Sequence, residues 1–253
     1  MNNLIRVELF KLRKNRSFWT LLAAIAFLSL AYPLLYYFDN RTGGKPQITG
    51  AEFLAAFLSG NAYVIKLGAT ILAGFYICNE YSTGVMKTIA SSGNDRWRLF
   101  TAKLIVFSLG AMVVSLVFPI VSTTEASLLS GFGHLPAGTH SYFIPQAFGL
   151  TLLYSVAYAA VVALFAVVLT DSGKTIGISM IFFLLIDSAL AALGEKLPFV
   201  AKVHDYSIFK LVNDIGKGGM GSSDWPKLLL VPACTFVLCG LLGILVFRRK
   251  EIK

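Results

Sequence analysis

The chain has 253 residues, 56% of them hydrophobic and only 14% charged, with a net charge of +9 and a mean hydropathy of +0.72. Soluble domains carry roughly a quarter charged residues, and so few charges cannot cover a globular surface, so a soluble protein is excluded. Nucleic acid is not the expected partner of the positive charge, because Lys and Arg flank apolar runs, where they meet anionic headgroups.

Six apolar runs, at about 18–38, 61–78, 99–121, 145–170, 175–193 and 226–247, approach or exceed the length of about 20 residues that a membrane helix needs. None shows the alternation of a barrel strand. The expected fold is an all-α polytopic membrane protein, one transmembrane domain over residues 1–253. The first run follows the basic KLRKNRS, as a secretory signal does, but it is too long and lacks a small-residue cleavage site, so it is expected to stay as an anchor. The second is the weakest, because Lys66 lies inside it.

With six spans both termini share one side. That side collects fourteen Lys and Arg residues against seven on the other, which predicts cytoplasmic termini and a cell-membrane location. Most of the opposing lysines (Lys196, Lys202, Lys210, Lys217 and Lys227) fall in one long outer connection.

Several motifs resemble chemistry that their context denies. DSGKTIG, 171–177, has the Gly-Lys-Thr of a phosphate loop, but Val168 stands where a glycine is required and a membrane helix precedes it. It reads as a tight turn, with Gly173 and Gly177 offering a small-residue contact. LLSGFG, 128–133, lacks every other nucleotide motif. His134, His140 and His204 lie on two outer connections, and Cys78, Cys234 and Cys239 fall within spans at no metal or disulfide spacing. No catalytic grouping is found, so the chain is expected not to be an enzyme and to hold no metal or cofactor of its own.

Two intramembrane charges stand out, Lys66 and Asp187. Each costs roughly 2.5–3.5 kcal/mol if it faces lipid, so each is expected to face protein, water or a headgroup. One reading places them on a polar path, paired with each other; the other lets each snorkel at an interface.

Between the second and third spans lies EYSTGVMKTIASSGNDRWRLFTAK, 80–103. Tyr81, Val85 and Ile89 at four-residue spacing, with Met86 beside them, form one apolar helical stripe, and Thr83, Lys87, Thr88, Ser91 and Ser92 occupy the other faces. Gly93 breaks the pattern, Asn94 is the expected cap of the next helix with Asp95 in its first turn, and Arg96, Trp97 and Arg98 mark a membrane interface. A short surface helix, a turn and re-entry into the membrane follow, which is equally consistent with an anchor and with a docking element.

This strip resembles the loop after the second helix in type-2 ATP-binding-cassette (ABC) exporter permeases. Glu80, Gly84, Arg96 and Lys103 match marked positions of that family, while Val85 and Asp95 depart from it. VELFKLRKNRSFW, 7–19, is similar to the family's leading segment through Glu8, Lys11, Arg13 and Trp19. The resemblance covers the whole chain in helix count, length and topology.

The resemblance implies a permease subunit that works with a second permease, identical or related, and with two copies of a separate cytoplasmic ABC ATPase that binds ATP-Mg. It implies that this leading segment is an interfacial elbow helix carrying Glu8, Lys11 and Arg13, and that the strip is a coupling helix. In that helix Tyr81, Val85, Met86 and Ile89 pack into the partner or the bundle, Glu80, Lys87 and Arg96 hold the geometry by charge, and Gly84 belongs to the same coupling set. It further implies export of an amphipathic substrate such as a peptide antibiotic, and an outer segment between the last two spans that dips into the membrane; Ser223 or Asp224 with Pro226 supplies a start for the final helix. The rival reading is a self-sufficient ion-coupled transporter using Lys66 and Asp187, against which no inverted repeat of broken helices is found.

Overall fold

A computed structural model describes residues 1–44, 47–90, 93–135, 142–215 and 225–250. Outside these lie His140, Ser91, Ser92, Lys217 and the expected helix start at Ser223 or Asp224.

Helix α1, Asn2–Lys14, ends at Asn15, whose backbone is extended. The Asn15 side-chain oxygen accepts from Ser17 N at 2.9 Å and Phe18 N at 3.4 Å and so starts α2, Arg16–Thr42. Those N–H groups have no partner inside a helix, which is why a short polar residue is placed at this joint. Helix α3, Gly50–Ala73, opens on a reciprocal cap between Thr49 and Glu52. It runs into a π-helical turn, Gly74–Cys78, and then α4, Asn79–Ser82. After a turn come α5, Val85–Ala90, and α6, Arg96–Ser130. Asp95 rather than Asn94 holds the cap position of α6, and its Oδ2 meets Arg98 Nε at 3.1 Å. Helix α7, Phe143–Leu169, turns through a left-handed Thr170 (φ 57°) into α8, Ser172–Lys196. Asp171 caps α8 by accepting from Lys174 N at 2.8 Å, so DSGKTIG is a capped turn. Helices α9, Pro198–Asp205, and α10, Ile208–Leu211, a 3-10 turn, Val212–Asp214, and α11, Trp225–Arg249, complete the described chain.

Six of these stretches are long and apolar enough to cross a membrane, and they match the six expected runs. In lipid, apolar area alone does not drive helices together; close packing and hydrogen bonds do. The bundle accordingly divides. The most apolar windows of α3–α4, α7 and α6 are 72%, 61% and 50% buried, against 22%, 17% and 11% for α2, α11 and α8. The span that carries Lys66 is thus the most enclosed of the six, which is how it tolerates a lysine. Gly68 meets Val114, Gly110 meets Leu12, and Gly243 meets Phe100, each too close for an added Cβ without a shift. These small residues pack within the chain. Gly173 and Gly177 do not: neither brings a neighbouring helix within 4 Å, because both lie on the exposed side of α8. Asn61, fully buried, donates its amide to Ser115 O at 3.0 Å and locks α3 to α6.

At the end away from the termini the chain after α9 turns back into the bundle. Ile208, Leu211, Val212 and Ile215 are buried. Tyr158 Oη donates to Ile208 O at 3.1 Å, and Phe209 joins the rings of Tyr158, Phe182 and Phe183 at centroid distances of 5.9 to 6.3 Å.

Candidate functional site

At the end that carries the termini, four charged side chains from three segments close a ring. Lys11 Nζ lies 2.7 Å from Glu8 Oε1 and 3.0 Å from Glu80 Oε1. Lys103 Nζ lies 2.9 Å from Glu8 Oε2 and 2.7 Å from Glu80 Oε2. Each cation therefore touches both anions, and α1, α4 and α6 are joined at one point. Tyr76 completes it: its hydroxyl donates to Glu8 Oε2 at 2.7 Å, and Lys103 Nζ stands 4.9 Å from the centre of its ring. Glu8 and Lys103 are only 7% and 6% exposed.

The π-helical turn explains how α4 meets this ring. One extra residue in a turn rotates everything after it by roughly 100°, which re-aims Tyr76 and Glu80 relative to α3. The carbonyl of Gly74 in that turn accepts from Ser172 Oγ at 2.7 Å, so the start of α8 stabilises the irregularity. Tyr76 stacks on Phe107 of α6 with ring planes 9° apart.

Electrostatics within the ring are mutual. Burial works against the Glu8 carboxylate, but the Lys103 and Lys11 ammonium groups outweigh it and hold the carboxyl below the usual carboxylate range. Burial also works against the Lys11 ammonium, but its bonds to Glu8 and Glu80 leave it above the usual lysine range.

The strip beyond Glu80 divides its stripe between two sides. Met86 is buried, and Tyr81 and Ile89 pack against the core, whereas Val85 is 42% exposed and Lys87 is exposed. Gly84 turns the chain between α4 and α5 in the left-handed region, φ 72°. Two clefts flank this corner. One, of about 340 Å³, lies against Leu4, Val7, Ile89 and Leu99; the other, of about 450 Å³, lies against Phe10, Lys14, Phe75 and Asn79. Val85 and Lys11 line both.

Arg96 works elsewhere. Its Nη1 donates to Arg248 O at 3.2 Å and Lys250 O at 2.8 Å, capping the end of α11. Lys250 Nζ in turn donates to Val167 O and Val168 O near the end of α7. Arg13 contributes its carbonyl, which accepts from Trp19 Nε1 at 2.8 Å across the α1–α2 joint.

Lys66 and Asp187 do not form the direct pair considered from the sequence. Asp187 Oδ1 is held by His204 Nε2 of α9 at 2.8 Å. Lys66 stands between the rings of Tyr63 and Tyr158, at 5.8 and 5.9 Å from their centres, and is 5% exposed. Lys66 lies six residues, roughly 9 Å of helix, inside the start of its span at Gly60.

Sequence reasoning named Glu8, Lys11, Glu80 and Lys103 but not their closure, and it missed Tyr76 and the pairing of His204 with Asp187. Tyr76, one helical turn before Glu80 and the only hydroxyl in GFYIC, was the available signal. His204 had none, being joined to Asp187 only by the fold of α9.

A family model described as ABC-2 family transporter protein matches residues 4–188, which contain the whole ring and the strip. No curated protein matches the chain.

Proposed function

The chain belongs to the ABC-2 family of transporter proteins, and on that premise we propose that it is a permease through which ATP hydrolysis on a partner drives export of an amphipathic substrate. Membership makes it a multi-pass membrane subunit of an ABC transporter that partners an ABC ATPase. The ion-coupled alternative is set aside on the same premise.

In the proposed mechanism both termini are cytoplasmic and the whole chain, 1–253, acts as one permease domain beside a second permease, identical or related. ATP-Mg binds the separate ATPase and no cofactor binds this chain. Helix α1 is the interfacial elbow at the lipid surface, and 79–96 is the coupling element seated on the ATPase. Val85 and Lys87 face that partner, Met86, Tyr81 and Ile89 anchor the element to the bundle, and Arg96 fastens it to α11. The observation that carries this reading is the ring of Glu8, Lys11, Glu80 and Lys103, in which Glu8 and Lys103 are buried. A push on α5 reaches Glu80 within two turns of helix, and through Glu80 it loads α1 and α6 together. Parting a buried ion pair leaves an uncompensated charge, and Glu8 and Lys103, at 9% and 7% side-chain exposure, are the enclosed pair that must follow Glu80. Substrate then moves along the interface of the two permeases. Peptide antibiotics, and hence a resistance role, fit the amphipathic class.

Purification in mild detergent tests the partnership: the wild-type permease is expected to bring its cognate ATPase with it in equal amounts. A well-folded preparation that recovers no ATPase would contradict the proposal.

A further inference from the structure

Lys66 is a buried cation in the second span whose three N–H donors meet no hydrogen-bond acceptor or carboxylate among the described residues. An ammonium group carries only donors, and a membrane interior offers it no water, so it demands an anion or an acceptor. The two tyrosine rings answer only part of this demand. Both lie near the limit of about 6 Å at which a ring face still attracts a cation, and neither can accept three hydrogen bonds. Asp187, the other intramembrane charge, is bound by His204 and forms no ion pair with Lys66.

The surroundings say how an anion would arrive. Tyr63 is 59% exposed on the flank of α3, whereas Tyr158 is fully buried, so Lys66 lies on a line from the lateral surface to the interior. One turn along α7 from Tyr158, the fully buried Tyr154 Oη has no hydrogen-bond partner among the described residues, and on α8 neither has Ser179 Oγ. Phe182, Phe183 and Phe209 pack around Tyr158 as an apolar wall. An unpaired cation, an aromatic wall and spare hydroxyl groups on the two helices that pack against α3 suit a molecule with an acidic head and an apolar tail.

We propose that Lys66 is the anion-binding residue of a substrate site inside the permease, reached laterally past Tyr63, for amphiphiles bearing a phosphate or carboxylate head. The inference rests on the permease reading and narrows its substrate class to anionic amphiphiles.

The test uses the permease in discs of zwitterionic lipid, with radiolabelled dodecyl phosphate as probe and dodecyltrimethylammonium and inorganic phosphate as comparators. The wild type is expected to bind dodecyl phosphate at least tenfold more tightly than either comparator. Lys66→Gln is expected to lose that preference, while Lys66→Arg keeps binding within threefold of wild type. Phosphatidylglycerol added to the discs identifies the source: competition marks a resident lipid headgroup, and its absence marks a single-chain amphiphile, with Lys66 the anion site in both cases. Equal binding of the phosphate and ammonium probes, or unchanged binding by Lys66→Gln, overturns the proposal. Recovery of the ATPase by the same preparations separates this failure from failure of the permease reading, and normal binding by Lys66→Arg separates loss of charge from loss of folding.

Discussion

Glu8→Ala is expected to destabilise the folded permease by about 3–5 kcal/mol, the usual penalty for removing one member of a buried ionic group. The substitution takes both oxygens from the ring at once, leaving Lys103 with Glu80 alone, Lys11 likewise, and Tyr76 without its carboxylate acceptor. Removing an opposite pair together, as in Glu8→Gln with Lys103→Met, leaves Lys11 and Glu80 matched. The double variant is therefore expected to lose less than the sum of its single changes, with a coupling of about 0.5–3 kcal/mol. Thermal unfolding in lipid discs measures both. The pH dependence follows from the direction of the shifts. Glu8 is held below the usual carboxylate range, so its contribution is present at neutral and mildly acidic pH and is lost as pH falls through the lowered value. Lys11 is held above the usual lysine range, so its contribution is present at neutral pH and is lost only as pH rises through the raised value. Wild type is expected to show a wide stability plateau, and Glu8→Gln to lose its acid limb. A Glu8→Ala permease as stable as wild type would mean that the ring carries no load.

Gly84→Pro is expected to lower transport at least tenfold while leaving membrane insertion intact. Proline fixes φ near −65°, whereas Gly84 holds φ 72°. It also lacks the N–H that Gly84 donates to Tyr81 O at 3.2 Å. The corner between α4 and α5 must then open, and the link from α5 to Glu80 is lost. Two milder variants separate backbone from bulk. Nothing lies within 4 Å of the position a Cβ would take at Gly84, so Gly84→Ala costs only the left-handed conformation, about 1–2 kcal/mol. Gly84→Asn, a residue that visits this region readily, is expected to retain most transport. Transport by Gly84→Pro at the wild-type rate would remove the turn from the mechanism.

The six spans were legible because lipid imposes length and apolarity on each segment separately, and no tertiary knowledge is needed to count them. The ring was half legible. Glu8 and Lys11 were marked by a leading-segment pattern, Glu80 and Lys103 by a loop pattern, but nothing local says that the two patterns meet. That meeting depends on the π-helical turn, which has no proline to announce it and which is stabilised by Ser172, nearly a hundred residues away. Arg96 shows the opposite limit. Its place in the strip suggested that it works with Glu80, yet long-range packing delivers it to the carbonyls that end α11. A Glu80/Arg96 double replacement therefore disturbs two separate networks. Asp187 was found from sequence as a costly charge, but its partner His204 lies beyond the turn between α8 and α9 and became visible only when that turn was folded.

The most direct measurement of the central claim places a photoreactive amino acid at Val85, which is exposed between the two clefts, and another at Leu128, 83% exposed near the opposite end of α6. Illumination of the complex is expected to join the ATPase to position 85, with a yield that changes on adding ATP, and to leave position 128 unlinked to it. An intact complex that forms no adduct at 85, or that forms equal adducts at both positions, would contradict the assignment of this strip as the place where the ATPase engages the permease.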